Sequence, residues 1–399
     1  MSLNFGRTLL AIPGPSVIPE RVLNAMHRPS PNIYGGELEE VTDSLYPDLK
    51  TVARTNGDVA IYIANGHGAW EAALKNTLKE GDTALVLQTG RFAEFWGIMA
   101  ESHGIKTKIL DFGMQGDVNL AEVEKVLRED VSGTIRAILV VQTDTASSVK
   151  NDIPKLRQLI TECGHDALFM VDCIASLACD RFKMDEWGVD VMVAGCQKGL
   201  MTPAGLSFVY FNEKANEAQK RVSPGQYWDW GPRTRSEVFY QKFRGTAPTH
   251  HLFGLREALN ILLNEEGLEA AWARHETIAK AVWAAVEAWG ANGEMHHNIS
   301  DPAKRSTAVS AIATNKGEAD KIRAWTEKEA GVTFGIPLGF DEEEASRRFR
   351  IGHMGHQNIP MIIGALGAID AAMKALGIPH GENGLPAATA VLAHHGKNS

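Results

Sequence analysis

From about Val59 the chain repeats one pattern: a short apolar run, a polar or glycine-bearing turn, then a longer stretch with apolar positions at helical spacing. The runs VAIYIAN, TALVLQ, KTKILDF, RAILVVQT, ALFMVD, the stretch from Val189 and GLSFVYF predict strands. Between them AWEAALKNTLKE predicts a helix, with Trp70, Ala73, Leu74 and Leu78 on one face and a stop at Gly81. FAEFWGIMAESHG, Asn119–Glu129 and Ile153–Glu162 predict three more. Short apolar strands alternating with amphipathic helices imply an α/β fold, a mostly parallel sheet covered on both faces.

The pattern differs at either end. Residues 1–21 read as an extended arm with a turn at Pro13–Pro15, and a helix starts near Pro19. PNIYGGE is a loop. Between Arg221 and His251 periodicity lapses into a long, aromatic, partly basic loop, which at that length is expected to be functional or to contact a partner. HLFGLREALNILLNEEG and a longer helix through Trp272–Trp289 follow, the second bridging to another domain. After about Ala291, STAVSAIAT and RRFRIGHMG predict strands, and GEADKIRAWTEKEAG and PMIIGALGAIDAAMKALG predict helices. The expected organisation is an arm (1–21), a large domain (22–290) and a smaller C-terminal α+β domain (291–399). The tail after Gly377 is Gly-, Pro- and Ala-rich and its pattern says little.

Composition narrows the function classes. Hydrophobic content of 44% and charged content of 22% are those of an ordinary globular chain. A net charge of -9 argues against nucleic acid or an anionic membrane as the main partner. Cys163, Cys173, Cys179 and Cys196 show neither a CxxC pair nor a zinc spacing, so no metal site is expected and a reduced, cytoplasmic setting is favoured. MSLNFGRTLLAIPGPS is too short in apolar residues for a signal peptide, and no run of about 18 apolar residues predicts a membrane span.

Ligands of such sheets bind at the carboxyl ends of strands, and there the chemistry collects. Lys198 follows the apolar run that ends at Gly195; a lysine there is either a surface cation or an easily deprotonated imine partner. Asp172 closes LFMVD, as a turn acid or a buried carboxylate. Thr145 sits among small hydroxyl residues, which alone would mark an ST-turn. Gly66-His67-Gly68 opens a helix, where free backbone N–H groups and the helix dipole suit a phosphate. Lysine, acid and phosphate site are the parts that pyridoxal 5'-phosphate requires.

NGHGAWEAAL, GRF at Gly90–Phe92, VDCIAS and GCQKGLMTPAGLSFV resemble the class V (fold type I) pyridoxal-phosphate aminotransferases, most of all the serine-glyoxylate and alanine-glyoxylate group. The resemblance runs from Pro13 to Gly355 and is most specific over Gly164–Val209. It implies that Lys198 forms the cofactor imine and then shuttles the substrate proton, while Asp172 pairs with the pyridinium. By the same resemblance Phe92 stacks on the ring, Thr145 donates to the phenolic oxygen, and Gly66, His67, Gly68 and Gln197 hold the phosphate. Thr246 would reach that phosphate from a neighbouring subunit, implying an obligate homodimer with shared sites. Arg350 would clamp the substrate α-carboxylate, Arg347 and Arg348 would be solvated, and Tyr34 and Gly35 would lie near the substrate side chain.

Three positions depart from the pattern: Phe243 replaces a frequent Tyr, TDTASS (Thr143–Ser148) replaces NETATG, and NIYGG replaces a more polar segment. The implied reaction moves an amino group from a small amino acid, serine or alanine favoured, to glyoxylate or a similar 2-oxo acid by way of pyridoxamine phosphate. Aspartate or ureidoglycine as donor, a lyase, and a non-catalytic cofactor-binding protein are the alternatives. A cysteine desulfurase is disfavoured, because the last cysteine, Cys196, lies just before the lysine.

Overall fold

The strands form where β-branched and other apolar residues run together, and the helices where those residues recur at intervals of three and four. The computed structural model describes residues 3–293 and 295–398, with side chains to residue 394. Positions 1, 2, 294 and 399, which fall in the expected arm and small domain, lie outside the described residues. In chain order the strands are β1 (Leu9–Ala11), β2 (Asp58–Tyr62), β3 (Thr83–Gln88), β4 (Lys106–Asp111), β5 (Ile135–Val141), β6 (Thr143–Asp144) and β7 (Val149–Lys150). They continue as β8 (Leu168–Asp172), β9 (Val191–Gly195), β10 (Ser207–Phe211), β11 (His296–His297), β12 (Val309–Ala313), β13 (Val332–Phe334) and β14 (Arg348–Gly352).

The central sheet has the order β2-β10-β9-β8-β5-β3-β4. β10 runs antiparallel to both neighbours and every other pairing is parallel, as the α/β reading expects. Alternate residues of one strand serve opposite faces: Leu85 and Leu87 join the core with Phe169 and Met192, while Ala84 and Val86 join Met170, Trp70 and Trp96. β8, β9 and β10 are buried at every position, which is why they read as unbroken apolar runs. β4, at the edge, exposes its lysines.

A second core belongs to the antiparallel sheet β11-β12-β14 and the helix Ile359–Leu376. The Leu268–Gly290 helix bridges the two, giving Ala271 and Trp272 to one core and Val282 to Trp289 to the other. The arm is stitched to this second unit, since β1 pairs in parallel with β13 and Ala11 is buried there.

Several expectations need correction. The first crossover helix spans Gly66–Thr77, because Asn65 caps it and Leu78 leaves in an extended conformation to be buried. The segment Arg221–His251 is no open loop: it holds helices at Gly225–Trp228 and Trp230–Arg235 and a 3-10 turn at Phe239–Phe243. Fully buried Arg233 organises it by donating to the carbonyls of Ile61, Tyr227 and Lys242. The tail forms a helix, Gly384–Asn398, that buries Ala388 and Leu392. The Ile359–Leu376 helix is in fact long and apolar enough to cross a membrane by composition, with mean hydropathy 1.6. Here Ile362, Leu366, Ile369 and Met373 are buried against protein, and Asp370 accepts from Trp289 and Lys374.

Candidate active site

The carboxyl ends of β5, β8 and β9 open on one cavity of about 220 Å³. Gly66, His67, Phe92, Thr145, Asp172, Gln197 and Lys198 all line it. A larger cleft of about 620 Å³, beside Asp152 and Lys304, contains none of the predicted site residues.

Asp172 is 3% exposed. Its Oδ1 accepts from the Ile174 N–H at 2.6 Å and its Oδ2 from the Trp70 indole N–H at 2.8 Å. Burial pushes its carboxyl up to about 7, against the opposing pull of those two donors. It is a carboxylate ready to meet a cation.

Lys198 is half-buried by surface because it faces the cavity, yet protein surrounds its ammonium. Burial, then the nearby positive charge of Arg350, brings it down to about 8. Its Nζ donates to the Pro13 carbonyl, and the arm passes directly over it. A Cβ at Gly14 would press on the end of the Lys198 side chain, and φ +88 there favours glycine. Ser16 fastens the same strap by accepting nothing from the lysine side chain and donating instead to backbone: its Oγ to the Lys198 carbonyl and its N–H to that of Gln197.

Arg350 comes from β14 and is 7% exposed. Its Nη1 donates to the Thr145 carbonyl at 2.9 Å and its Nε to that of Ile336 at 2.7 Å. Neither partner is charged, and among the described residues it has no ion pair. Burial draws the guanidinium down to about 10. A buried cation whose hydrogen bonds go to carbonyls, with the Asp144 charge acting on it only from a distance, is suited to receive a carboxylate.

The helix at Gly66 presents its first turn to the cavity, with the Asn65 side chain accepting from the Gly68 N–H. Gly66 is tight against Ile174, where a Cβ would lie 2.5 Å from the side chain. Phe92 is half-buried; it lines the cavity and also packs against the core around Trp70.

Not every predicted residue is gathered here. Gly68 packs on Ala64 and Trp228 behind the cavity wall. Thr246 and Tyr34, the latter 81% exposed, lie outside it, as does half-buried Gly35. Arg348 is not solvated, since its side chain donates to Asn298 and Glu344 and lies over Phe340. Arg347 pairs with Glu343.

Two contributors escaped the sequence reading. Trp70 appeared only as a helix-face apolar residue, although its N–H holds Asp172. Asp144, fully buried, accepts from the N–H groups of Phe92, Ala93 and Ala146 and so sets the helix that carries Phe92. Its signal was present as an acid beside Thr145.

The residues fit pyridoxal phosphate. Lys198 can join its carbonyl carbon, Asp172 can face its ring nitrogen, and the helix N-terminus can face its phosphate. Gln197 Oε1, an acceptor, is buried with no hydrogen-bond partner among the described residues, so a donor on a bound group, rather than a phosphate oxygen, would satisfy it.

The sequence profile of the family Aminotransferase class-V matches residues 50–335. The serine–glyoxylate aminotransferase of Methylorubrum extorquens is 35% identical over 92% of this chain and 91% of its own length. The L-aspartate–glyoxylate aminotransferase of Paracoccus denitrificans is 33% identical, again over 92% and 91%. The fold is that of the Bacillus subtilis ureidoglycine–glyoxylate aminotransferase crystal structure, with a TM-score of 0.88, 20% identity, and coverage of 98% of this chain and 100% of that one. This chain belongs to the class V aminotransferases, enzymes that work with pyridoxal phosphate.

Proposed function

We propose that this aminotransferase moves the amino group of a small amino acid, serine or alanine in first place, to glyoxylate or a similar 2-oxo acid. The observation that carries the reading is Arg350, a buried guanidinium that makes no ion pair among the described residues and lies close to Lys198. Amino acid and oxo acid share one α-carboxylate, and one forked cation can hold both in turn. The glyoxylate assignment draws support from the serine–glyoxylate and aspartate–glyoxylate relatives, and the second of them makes aspartate the next donor to test.

Pyridoxal phosphate, when bound, supplies a carbonyl that condenses with amines and a ring that accepts the electron pair left by a breaking Cα–H bond. The chain's own groups do the rest. Arg350 orients the substrate carboxylate, and the Thr145 and Ile336 carbonyls fix the plane of its guanidinium. Lys198, lowered to about 8, has a neutral amine to offer near neutral pH, roughly one molecule in ten at pH 7, and can carry the proton taken from the substrate α-carbon. Asp172 keeps a negative charge at the ring end of the cavity once a cation lies against it. Burial around these groups excludes water, which strengthens each of the interactions.

The same reading includes a homodimer in a reducing, cytoplasmic setting. Thr246 and Tyr34 are exposed on the single chain, which supports a second copy covering them and Thr246 serving its phosphate. All four cysteines are free. Cys179 and Cys196 are buried with thiols pushed up to about 12, and Cys173 is raised as well, which speaks against a desulfurase nucleophile.

The test is absorbance of the cofactor-loaded enzyme while serine, alanine, aspartate and glycine are added singly, without oxo acid. Serine or alanine should convert the band to the pyridoxamine form, and glyoxylate should restore it. A band that no amino acid shifts would defeat the assignment.

A further inference from the structure

Asp172 owes its orientation to a residue outside the expected set. The helix that begins at Gly66 carries Trp70 one turn further on, with 1% of its surface exposed. Its indole N–H points at Asp172 Oδ2 at 2.8 Å, while the Ile174 N–H takes Oδ1 at 2.6 Å. The indole cannot swing away. It stacks on His67 at 4.5 Å and on Trp96 at 6.1 Å, and Phe92 meets it edge-on at 6.3 Å.

We propose that Trp70 is a positioning residue, whose N–H locks the Asp172 carboxylate in the orientation that faces the cofactor's ring nitrogen. The inference rests on the cofactor placement given above. One rigid helix then serves both ends of that cofactor: its first turn at the phosphate, its second turn, through Asp172, at the ring. The distance between the two is set by helical rise rather than by loop conformation. The N–H also favours the ionised carboxylate, because a donor stabilises the charged form over the neutral one.

Trp96 is the internal control. It is fully buried and stacks on Trp70, but its own indole N–H has no hydrogen-bond partner among the described residues. Trp96→Phe therefore removes a comparable ring segment without touching Asp172, whereas Trp70→Phe keeps a stacked ring and deletes the donor.

The experiment compares the cofactor-loaded wild type with Trp70→Phe, Trp96→Phe, Asp172→Asn and the double variant Trp70→Phe/Asp172→Asn. It reads the pyridoxal phosphate dissociation constant and the pH at which cofactor is lost on the acid side. Trp70→Phe should raise the dissociation constant about tenfold or more, the range for a hydrogen bond to a charged group. It should also move the acid limb upward, because Asp172 without its donor takes a proton more readily. Trp96→Phe should stay within about twofold of wild type. In the Asp172→Asn background, Trp70→Phe should add less than about twofold, since the carboxylate it served is gone. Equal effects of Trp70→Phe and Trp96→Phe, or full additivity in the double variant, would reduce Trp70 to a packing role and overturn the inference. A cofactor band missing from the wild type would overturn the cofactor placement and this inference with it.

Discussion

The stability of Asp172→Asn relative to wild type, both cofactor-free, should rise with pH. Burial lifts the carboxyl from 3.8 to about 7, so the folded chain keeps a proton that the unfolded chain has released. Between those values rising pH favours unfolding, and above about 7 the penalty levels off at about 4 kcal/mol, from about 1.4 kcal/mol per unit. Asparagine carries no such penalty. It loses something constant instead: Trp70 Nε1 and Ile174 N both donate, and an amide has only one oxygen for them. The donor facing its NH₂ costs about 1–3 kcal/mol at any pH. The pH-dependent part is therefore separable. Between pH 5 and pH 8 the stability gap between variant and wild type should widen in the variant's favour by about 3 kcal/mol. Urea unfolding of both cofactor-free proteins, at one protein concentration and several pH values, measures it. A gap that stays level, or narrows as pH rises, would refute the claim that Asp172 is a buried charge awaiting a cation.

Arg350→Lys should raise the KM for both amino acid and oxo acid about tenfold or more, because a point charge cannot keep the Thr145 and Ile336 carbonyls and also offer a fork; steady-state kinetics with each substrate varied checks this. Cofactor capture by the cofactor-free enzyme should quicken as pH rises, with a midpoint of about 8, since Lys198 must lose its proton first; stopped-flow absorbance at several pH values measures it, and a midpoint near 10.5 would contradict the lowered value. Gly14→Ala should slow the same capture, because the new Cβ would press on the end of the Lys198 side chain and the residue sits at φ +88. Its thermal stability should also fall, by about 1–2 kcal/mol.

The strand–helix alternation was legible because both faces of the central sheet are covered, so β8 and β9 stand out as apolar runs and Asp172 and Lys198 stand out as what ends them. Sequence spacing says where a strand ends, but not what approaches it from elsewhere. The arm over Lys198 comes from Pro13, the guanidinium from Arg350, and the donor to Asp172 from Trp70, all distant in the chain. Trp70 also sits at ordinary helical spacing, so its apolar face hid its polar edge. The Arg221–His251 segment misled for a related reason. Its order comes from Arg233, a charged residue whose burial is set by three carbonyls in space and leaves no periodic trace. Thr246, Tyr34 and Gly35 were placed by resemblance alone, and a single chain does not bring them to the cavity.

The central claim is that Lys198, just past the end of β9, holds the cofactor in the cavity that Asp172 also lines, with Arg350 close by. Borohydride reduction of the cofactor-loaded enzyme, followed by peptide mass mapping, tests it directly. A pyridoxyl group on Lys198 in the wild type, with none anywhere in Lys198→Ala, is the predicted result. A group on another lysine, or the same label in Lys198→Ala, would contradict it.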